Sequence, residues 1–176
     1  DSIIASKCGN KIYIIKGEIN NFKITTKEDL VMANKLNDNS KKLIDIRVGN
    51  GFDVHEFTNG SKIILFGLKI PFHRKLKGHS DADVGFHAIT DAILGSIGKG
   101  DIGEHFPPSN NKWKNKDSKF FLLHAYKILR DEGFVINNID ITLICEKQKI
   151  SKLRIKIKKN ISNILKIDVD TINIKK

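Results

Sequence analysis

The heptapeptide GFDVHEF, Gly51 to Phe57, sets a carboxylate and an imidazole two residues apart, at Asp53 and His55. On an extended strand, residues i and i+2 leave the same face, so both side chains aim at one point, as two ligands of a divalent metal would. An Asp-x-His pair is also an ordinary polar strand face. A catalytic zinc needs three protein ligands and an open position, so the pair alone does not make a centre. A third group is offered by HSDADVGFHAITDAILG, where Asp83, His87 and Asp91 recur at i, i+4 and i+8 along one stripe of a helix.

Those residues need elements to carry them. Ile44, Ile46 and Val48 alternate with polar residues in LIDIRV and predict a strand running toward GFDVHEF. KIILF and LKIPF, broken at Gly67, read as a hairpin. The run VGFHAITDAILGSIG is helical, with Val84, Ala88, Ile89, Ala92 and Ile93 as its apolar stripe. After the loop KGDIGEHFPPSNNKW comes a helix from about Ser118 to Glu132, stopped by Gly133. A strand NNIDITLICE follows, with Ile139, Ile141, Leu143 and Cys145 on one face. Ile150, Leu153, Ile157, Ile161 and Ile164 then make KISKLRIKIKKNISNIL a core-facing helix, and TINIK is a closing strand.

Upstream, KIYII and FKI read as short strands around a turn at KGEINN. Thr26 and Asp29 have capping-box spacing and predict a helix starting near Lys27, which fades into a polar linker, Asn37 to Lys42. The expected class is α+β: a mixed sheet with helices on one face, an α/β sandwich, over 43–176, preceded by a separate segment and linker over 1–42.

With 176 residues, 40% of them apolar, the chain can bury a proper core. No apolar run approaches the roughly 20 residues of a membrane span, and no secretory signal opens the chain, so no membrane partner and a cytoplasmic location are expected, or a plastid if a leader preceded Asp1. Cys8 and Cys145 have no metal-ligand spacing and read as reduced thiols. The net charge of +11 comes almost wholly from Lys, with only Arg47, Arg74, Arg130 and Arg154 able to make forked contacts, and aromatic residues do not interleave with the basic runs. No nucleic-acid partner is therefore expected; a positive field suits a small, highly phosphorylated substrate.

RVGNGFDVHEF, GHSDADVGFHAITDAILG, KGDIGEHFP and NIDITLICE stand in the order and spacing of the 2-C-methyl-D-erythritol 2,4-cyclodiphosphate synthase family, which the chain resembles from Ile46 to Lys176. The first segment, IYIIKGEINNFKITTKEDLVMANKL, resembles the C-terminal tail of the 4-diphosphocytidyl-2-C-methylerythritol synthase family, a cytidylyltransferase. The two enzymes occur fused in this order, so 1–42 is expected to be the end of a transferase and 43–176 a synthase domain that stops at INIKK, before the family's Thr-Thr-x-Glu segment.

The resemblance implies a phosphorus-oxygen lyase of the non-mevalonate isoprenoid pathway. It would cyclise 4-diphosphocytidyl-2-C-methyl-D-erythritol 2-phosphate and release CMP, as a homotrimer with active sites between subunits. It also implies that Asp53, His55 and His87 hold zinc, that Asp91 orients His87, and that Mg2+ or Mn2+ accompanies the substrate diphosphate. His79 and Ser80 match positions near the attacking phosphate, where Ser80 or Asp81 could equally cap the helix. Asp101 and Gly103 match positions that recognise the methylerythritol hydroxyls, and Lys149 a lysine near the cytidine phosphates. The alternative reading is a non-catalytic metal- or diphosphate-binding fragment that lost turnover with its tail.

Overall fold

The computed structural model describes residues 7–9, 11, 13, 16–17, 22–40, 45–145 and 150–176. The chain divides into two compact units, Asp1–Ile46 and Arg47–Lys176. In the first, helix α1 spans Lys27–Ser40. Its start is the expected capping box: the Asp29 N–H donates to Thr26 Oγ1 at 3.1 Å, and Asp29 Oδ2 accepts from the N–H groups of Thr25 and Thr26, both at 2.9 Å. Those backbone donors hold the Asp29 carboxyl down at about 2. The helix runs on through Asn37–Ser40, where polar composition had suggested a linker. Phe22, Lys23 and Ile24 belong to no strand, and the expected strand KIYII and turn KGEINN fall largely outside the described residues.

The second unit mixes helix and strand. Strands β1 (Phe57–Asn59) and β4 (Arg74–Leu76) pair antiparallel, as do β2 (Lys62–Leu65) and β3 (Leu68–Pro71). Leu65 opposes Leu68, so Phe66 and Gly67 alone make the turn, with φ of 50° and 75°. Two successive positive φ values define the tight turn that suits a hairpin's twist, and glycine at the second position meets it without strain.

Helices α2 (Val84–Ser96), α4 (Ser118–Asp131) and α5 (Arg154–Leu165) follow, with a single turn of helix, α3 (Ile102–His105), between the first two. Strands β5 (Ile139–Thr142) and β6 (Ile172–Lys175) pair in parallel. Among the described residues the expected sheet is thus three two-stranded ladders, two antiparallel and one parallel. One core unites them: Ile63, Leu65 and Ile70 of the hairpin, Phe86, Ile89 and Ile93 of α2, Leu122 and Ala125 of α4, Ile157 and Ile161 of α5, and Ile172 and Ile174 of β6.

The spacing of Ile157, Ile161 and Leu165 at i, i+4 and i+8 explains why a lysine-rich segment is a core helix: those three side chains are fully buried, and the lysines lie between them. Ile139, Ile141, Leu143 and Cys145 pack against the core from one face of the β5 segment, as the alternation predicts.

Helix α2 departs from its predicted stripe in an informative way. Its deepest residues are Gly85, Phe86, Ile89, Thr90, Ile93 and Leu94. Ala88 and Ala92 instead face the segment that precedes β1. A Cβ on Gly51 would lie 1.8 Å from the Ala88 carbonyl oxygen, and one on Gly49 equally close to that of Ala92. Glycine opposite alanine lets the two backbones meet directly.

Candidate metal centre

No strand is assigned among the described residues between 45 and 56, so the expected strand under Asp53 and His55 begins only at Phe57. The two-residue period survives without it. From Val48 to Glu56 burial alternates residue by residue, with Gly49, Gly51, Asp53 and His55 inward and Val48, Asn50, Phe52, Val54 and Glu56 outward. Gly49 and Gly51 lay the segment on α2, and the next two inward side chains arrive beside His87, the residue before Ala88. Gly51→Ala is expected to lower stability by about 2 kcal/mol or more and to weaken any divalent-metal binding at Asp53, because the segment carrying that residue must lift off α2. Urea denaturation and a zinc titration on the same variant check it.

At the meeting point one carboxylate oxygen serves two imidazoles. Asp53 Oδ2 lies 3.0 Å from His55 Nε2 and 3.0 Å from His87 Nδ1. The three ligand atoms all fall within 4.8 Å of one another. Four ligands arranged tetrahedrally on zinc at its usual bond lengths stand about 3.3 Å apart, so small side-chain shifts would place these three around one ion. Burial works to raise the Asp53 carboxyl, but the His87 hydrogen bond and the neighbouring charges of His55 and His87 outweigh it and hold the group below the usual carboxylate range. The donor set of one carboxylate and two imidazoles suits zinc or a similar divalent ion.

The outer nitrogens of both rings are also engaged. His55 Nδ1 donates to the Lys77 carbonyl oxygen at 2.5 Å, so Nε2, beside Asp53, is the ring nitrogen left to bind a metal. His87 Nε2 lies 2.9 Å from Ser118 Oγ and 3.2 Å from Ser80 Oγ. Neither serine had been read from the sequence as a neighbour of the imidazole. Ser118 looked like a helix start, and only the fold brings α4 against α2.

The other carboxylates of the stripe have different work. Asp83, completely buried, caps α2, a place the sequence had given to Ser80 or Asp81. Its oxygens accept from Gly85 N and Phe86 N, both at 3.1 Å, and from Phe66 N at 2.8 Å and Gly67 N at 2.5 Å in the hairpin turn. Burial pushes its carboxyl up, against the pull of the Gly67, Phe86 and Phe66 N–H groups.

The hydrogen bonds of His87 go to Asp53, Ser80 and Ser118. Asp91 Oδ1 accepts from Ile102 N at 2.9 Å and so ties the GDIG turn to α2. Burial raises the Asp91 carboxyl; the Ile102 bond and His87 lower it, and the charges of Asp101 and Asp53 raise it further. The turn of Asp101 and Gly103 is thereby linked to the metal-ligand cluster through one carboxylate.

Asp101 is exposed and caps α3 by accepting from Glu104 N at 2.9 Å. The far end of α3 is held by the His105 Nε2–Lys99 O bond at 2.8 Å and by Phe106, buried among Trp113, Phe120, Phe121 and His124. His79 is exposed in the loop before α2, and its carbonyl oxygen accepts from Asn115 N at 2.7 Å. Lys149 lies outside the described residues.

A small mixed α/β domain that turns a carboxylate and two imidazoles toward one point has the layout of a mononuclear divalent-metal protein. The chain belongs to the YgbB family, whose profile matches residues 46–176. Over 176 residues it is 51% identical to the bifunctional enzyme IspD/IspF of Bartonella quintana, covering 99% of this chain and 45% of that protein. It is 46% identical to the protein of the same name from Wolbachia pipientis wMel, covering 44% of it. The structure of bifunctional IspDF from Campylobacter jejuni is 40% identical and aligns over 99% of this chain and 46% of that one, with a TM-score of 0.71. A CDP-bound 2C-methyl-D-erythritol-2,4-cyclodiphosphate synthase is 31% identical and aligns over 73% of this chain and 86% of that one, with a TM-score of 0.67. The chain therefore spans a little under half the length of the bifunctional relatives.

Proposed function

We propose that the unit from Arg47 onward is a cyclodiphosphate synthase that converts 4-diphosphocytidyl-2-C-methyl-D-erythritol 2-phosphate into 2-C-methyl-D-erythritol 2,4-cyclodiphosphate, and that residues 1–42 are the end of a fused cytidylyltransferase. The observation that carries the reading is the convergence of Asp53, His55 and His87 in a YgbB-family chain. In the reaction an oxygen of the 2-phosphate bonds to the β-phosphorus, the bond from that phosphorus to the bridging oxygen breaks, and CMP leaves with the electron pair. Such a transfer needs alignment and charge neutralisation more than covalent help.

Asp53 Oδ2, His55 Nε2 and His87 Nδ1 would hold zinc, which when bound supplies Lewis-acid polarisation of a β-phosphate oxygen. Mg2+ or Mn2+ with the diphosphate would offset its remaining charge. One carboxylate and two neutral imidazoles leave a net positive centre, complementary to phosphate oxygens. His79 and Ser80, in the loop that leads into α2, would bind the attacking phosphate. Asp101 would accept hydrogen bonds from the methylerythritol hydroxyls, and Gly103 would let the backbone approach them. Lys149 would meet the cytidine phosphates.

A homotrimer is part of the proposal. Val48, Phe52 and Val54, which are 89, 76 and 77% exposed, form the outward side of the segment whose inward side carries the ligands, an apolar face suited to a neighbouring subunit. No helix of the described residues is long and apolar enough to cross a membrane. The bacterial origin of the bifunctional relatives named above supports a cytoplasmic enzyme. That the relatives are named as enzymes supports turnover over a non-catalytic fragment.

The test is incubation of the zinc-loaded chain with the cyclisable substrate, with CMP followed by chromatography and assembly by native mass spectrometry. Release of CMP by a trimer, abolished by a chelator and restored by zinc, is expected. A zinc-loaded trimer that releases none would overturn the catalytic reading.

A further inference from the structure

We infer that Ser118 and Asp81 form a positioning relay that fixes which nitrogen of His87 faces the metal. The inference rests on the metal centre proposed above and assigns a role to two residues outside its ligand set. It follows from counting protons. Ser118 Oγ has a single proton, and the Asp81 carboxylate oxygen Oδ1 is its hydrogen-bond partner. A carboxylate only accepts, so the hydroxyl proton points to Asp81. Ser118 Oγ can then meet His87 Nε2, 2.9 Å away, only as acceptor, which requires a proton on Nε2. With the Nε2 proton committed to Ser118, Nδ1, which hydrogen-bonds Asp53 Oδ2 in this structure, is the nitrogen that would turn its lone pair to a metal in place of that bond.

The relay is fixed at both ends. Ser118 is fully buried at the start of α4, and Asp81 Oδ2 accepts from the Ser118 N–H at 3.2 Å. Asp81 Oδ1 also accepts from Asp83 N at 3.3 Å, which ties the relay to the residue capping α2. Ser80 Oγ, 3.2 Å from His87 Nε2, accepts from Ala82 N at 3.2 Å and is a weaker second neighbour. The contact of α4 with α2 thus does more than fill the core: it brings to the imidazole an acceptor whose own proton is already committed.

The experiment is zinc affinity by chelator competition for the wild-type chain, Ser118→Ala and Ser80→Ala, together with long-range 15N NMR of the His87 ring in the zinc-loaded wild type. Ser118→Ala is expected to weaken zinc binding about 10- to 100-fold, the usual cost of losing a partner behind a metal-bound histidine, and Ser80→Ala by less. In the wild type, Nε2 should carry the proton and Nδ1 the metal, a signature that packing alone would not set. Zinc on Nε2, or an affinity unchanged in Ser118→Ala, overturns the relay and leaves the metal centre standing. A wild-type chain that binds no zinc overturns both. If Ser118→Ala does not fold, the wild-type NMR assignment decides.

Discussion

Replacing His87 with alanine is expected to take zinc from about one ion per chain to none, while the circular dichroism of the folded chain stays unchanged. Asp53 and His55 would remain, but two ligands on one segment do not make the three-ligand platform that a catalytic zinc needs. The imidazole is half-buried at the edge of the core, and Phe86 and Ile89 on either side of it keep α2 packed. Lewis-acid stabilisation of the transferring phosphoryl group is worth several kcal/mol, so CMP release should fall by about 10^3-fold or more. Metal analysis and the CMP assay on one preparation check both parts. Zinc retained at full stoichiometry would show that His87 is not a ligand.

The largest stability effect is expected at Asp83. Its Oδ1 serves the N–H groups of Phe66, Gly85 and Phe86, and its Oδ2 serves that of Gly67. Asp83→Ala leaves four backbone donors without an acceptor, those of Phe66, Gly85 and Phe86 buried, and removes the cap of the helix that carries His87, for a loss of about 3 to 5 kcal/mol. Asp83→Asn can keep the three bonds at one oxygen while its NH2 opposes the Gly67 N–H, so a smaller loss of about 1 to 3 kcal/mol is expected. Urea denaturation curves of the two variants should show the midpoint falling further for alanine at an unchanged slope. Equal midpoints would mean that the cap contributes little.

Asp83 also shows where residue spacing misleads. Asp83, His87 and Asp91 look equivalent on a helical wheel, each one turn from the next. The fold separates them: the first is buried under the hairpin turn, the second faces Asp53, and the third holds the GDIG turn. Periodicity reports which face of a helix a residue occupies and is silent about what packs there.

The local features were legible because they depend on neighbours in the chain. Glycine after Phe66 permits the two-residue hairpin turn, Thr26 and Asp29 start α1, and the recurrence of Leu153, Ile157 and Ile161 makes a lysine-rich helix face the core. The alternation that turns Asp53 and His55 to one side was legible too, since it survives even where no strand is assigned.

Tertiary structure alone decided the rest. The approach of Gly49 and Gly51 to Ala92 and Ala88 sets how closely the Asp53 segment lies on α2. The contact of α4 with α2 supplies Ser118 to the imidazole, and the Asp91–Ile102 bond places the GDIG turn. Each joins residues distant in sequence, from 11 positions for Asp91 and Ile102 to 43 for Gly49 and Ala92. The parallel pairing of β5 with β6 is of the same kind, because it needs α5 as the crossover. Residue types and local spacing determine which groups can coordinate and which face they take; the packing of a shared core determines which of them meet.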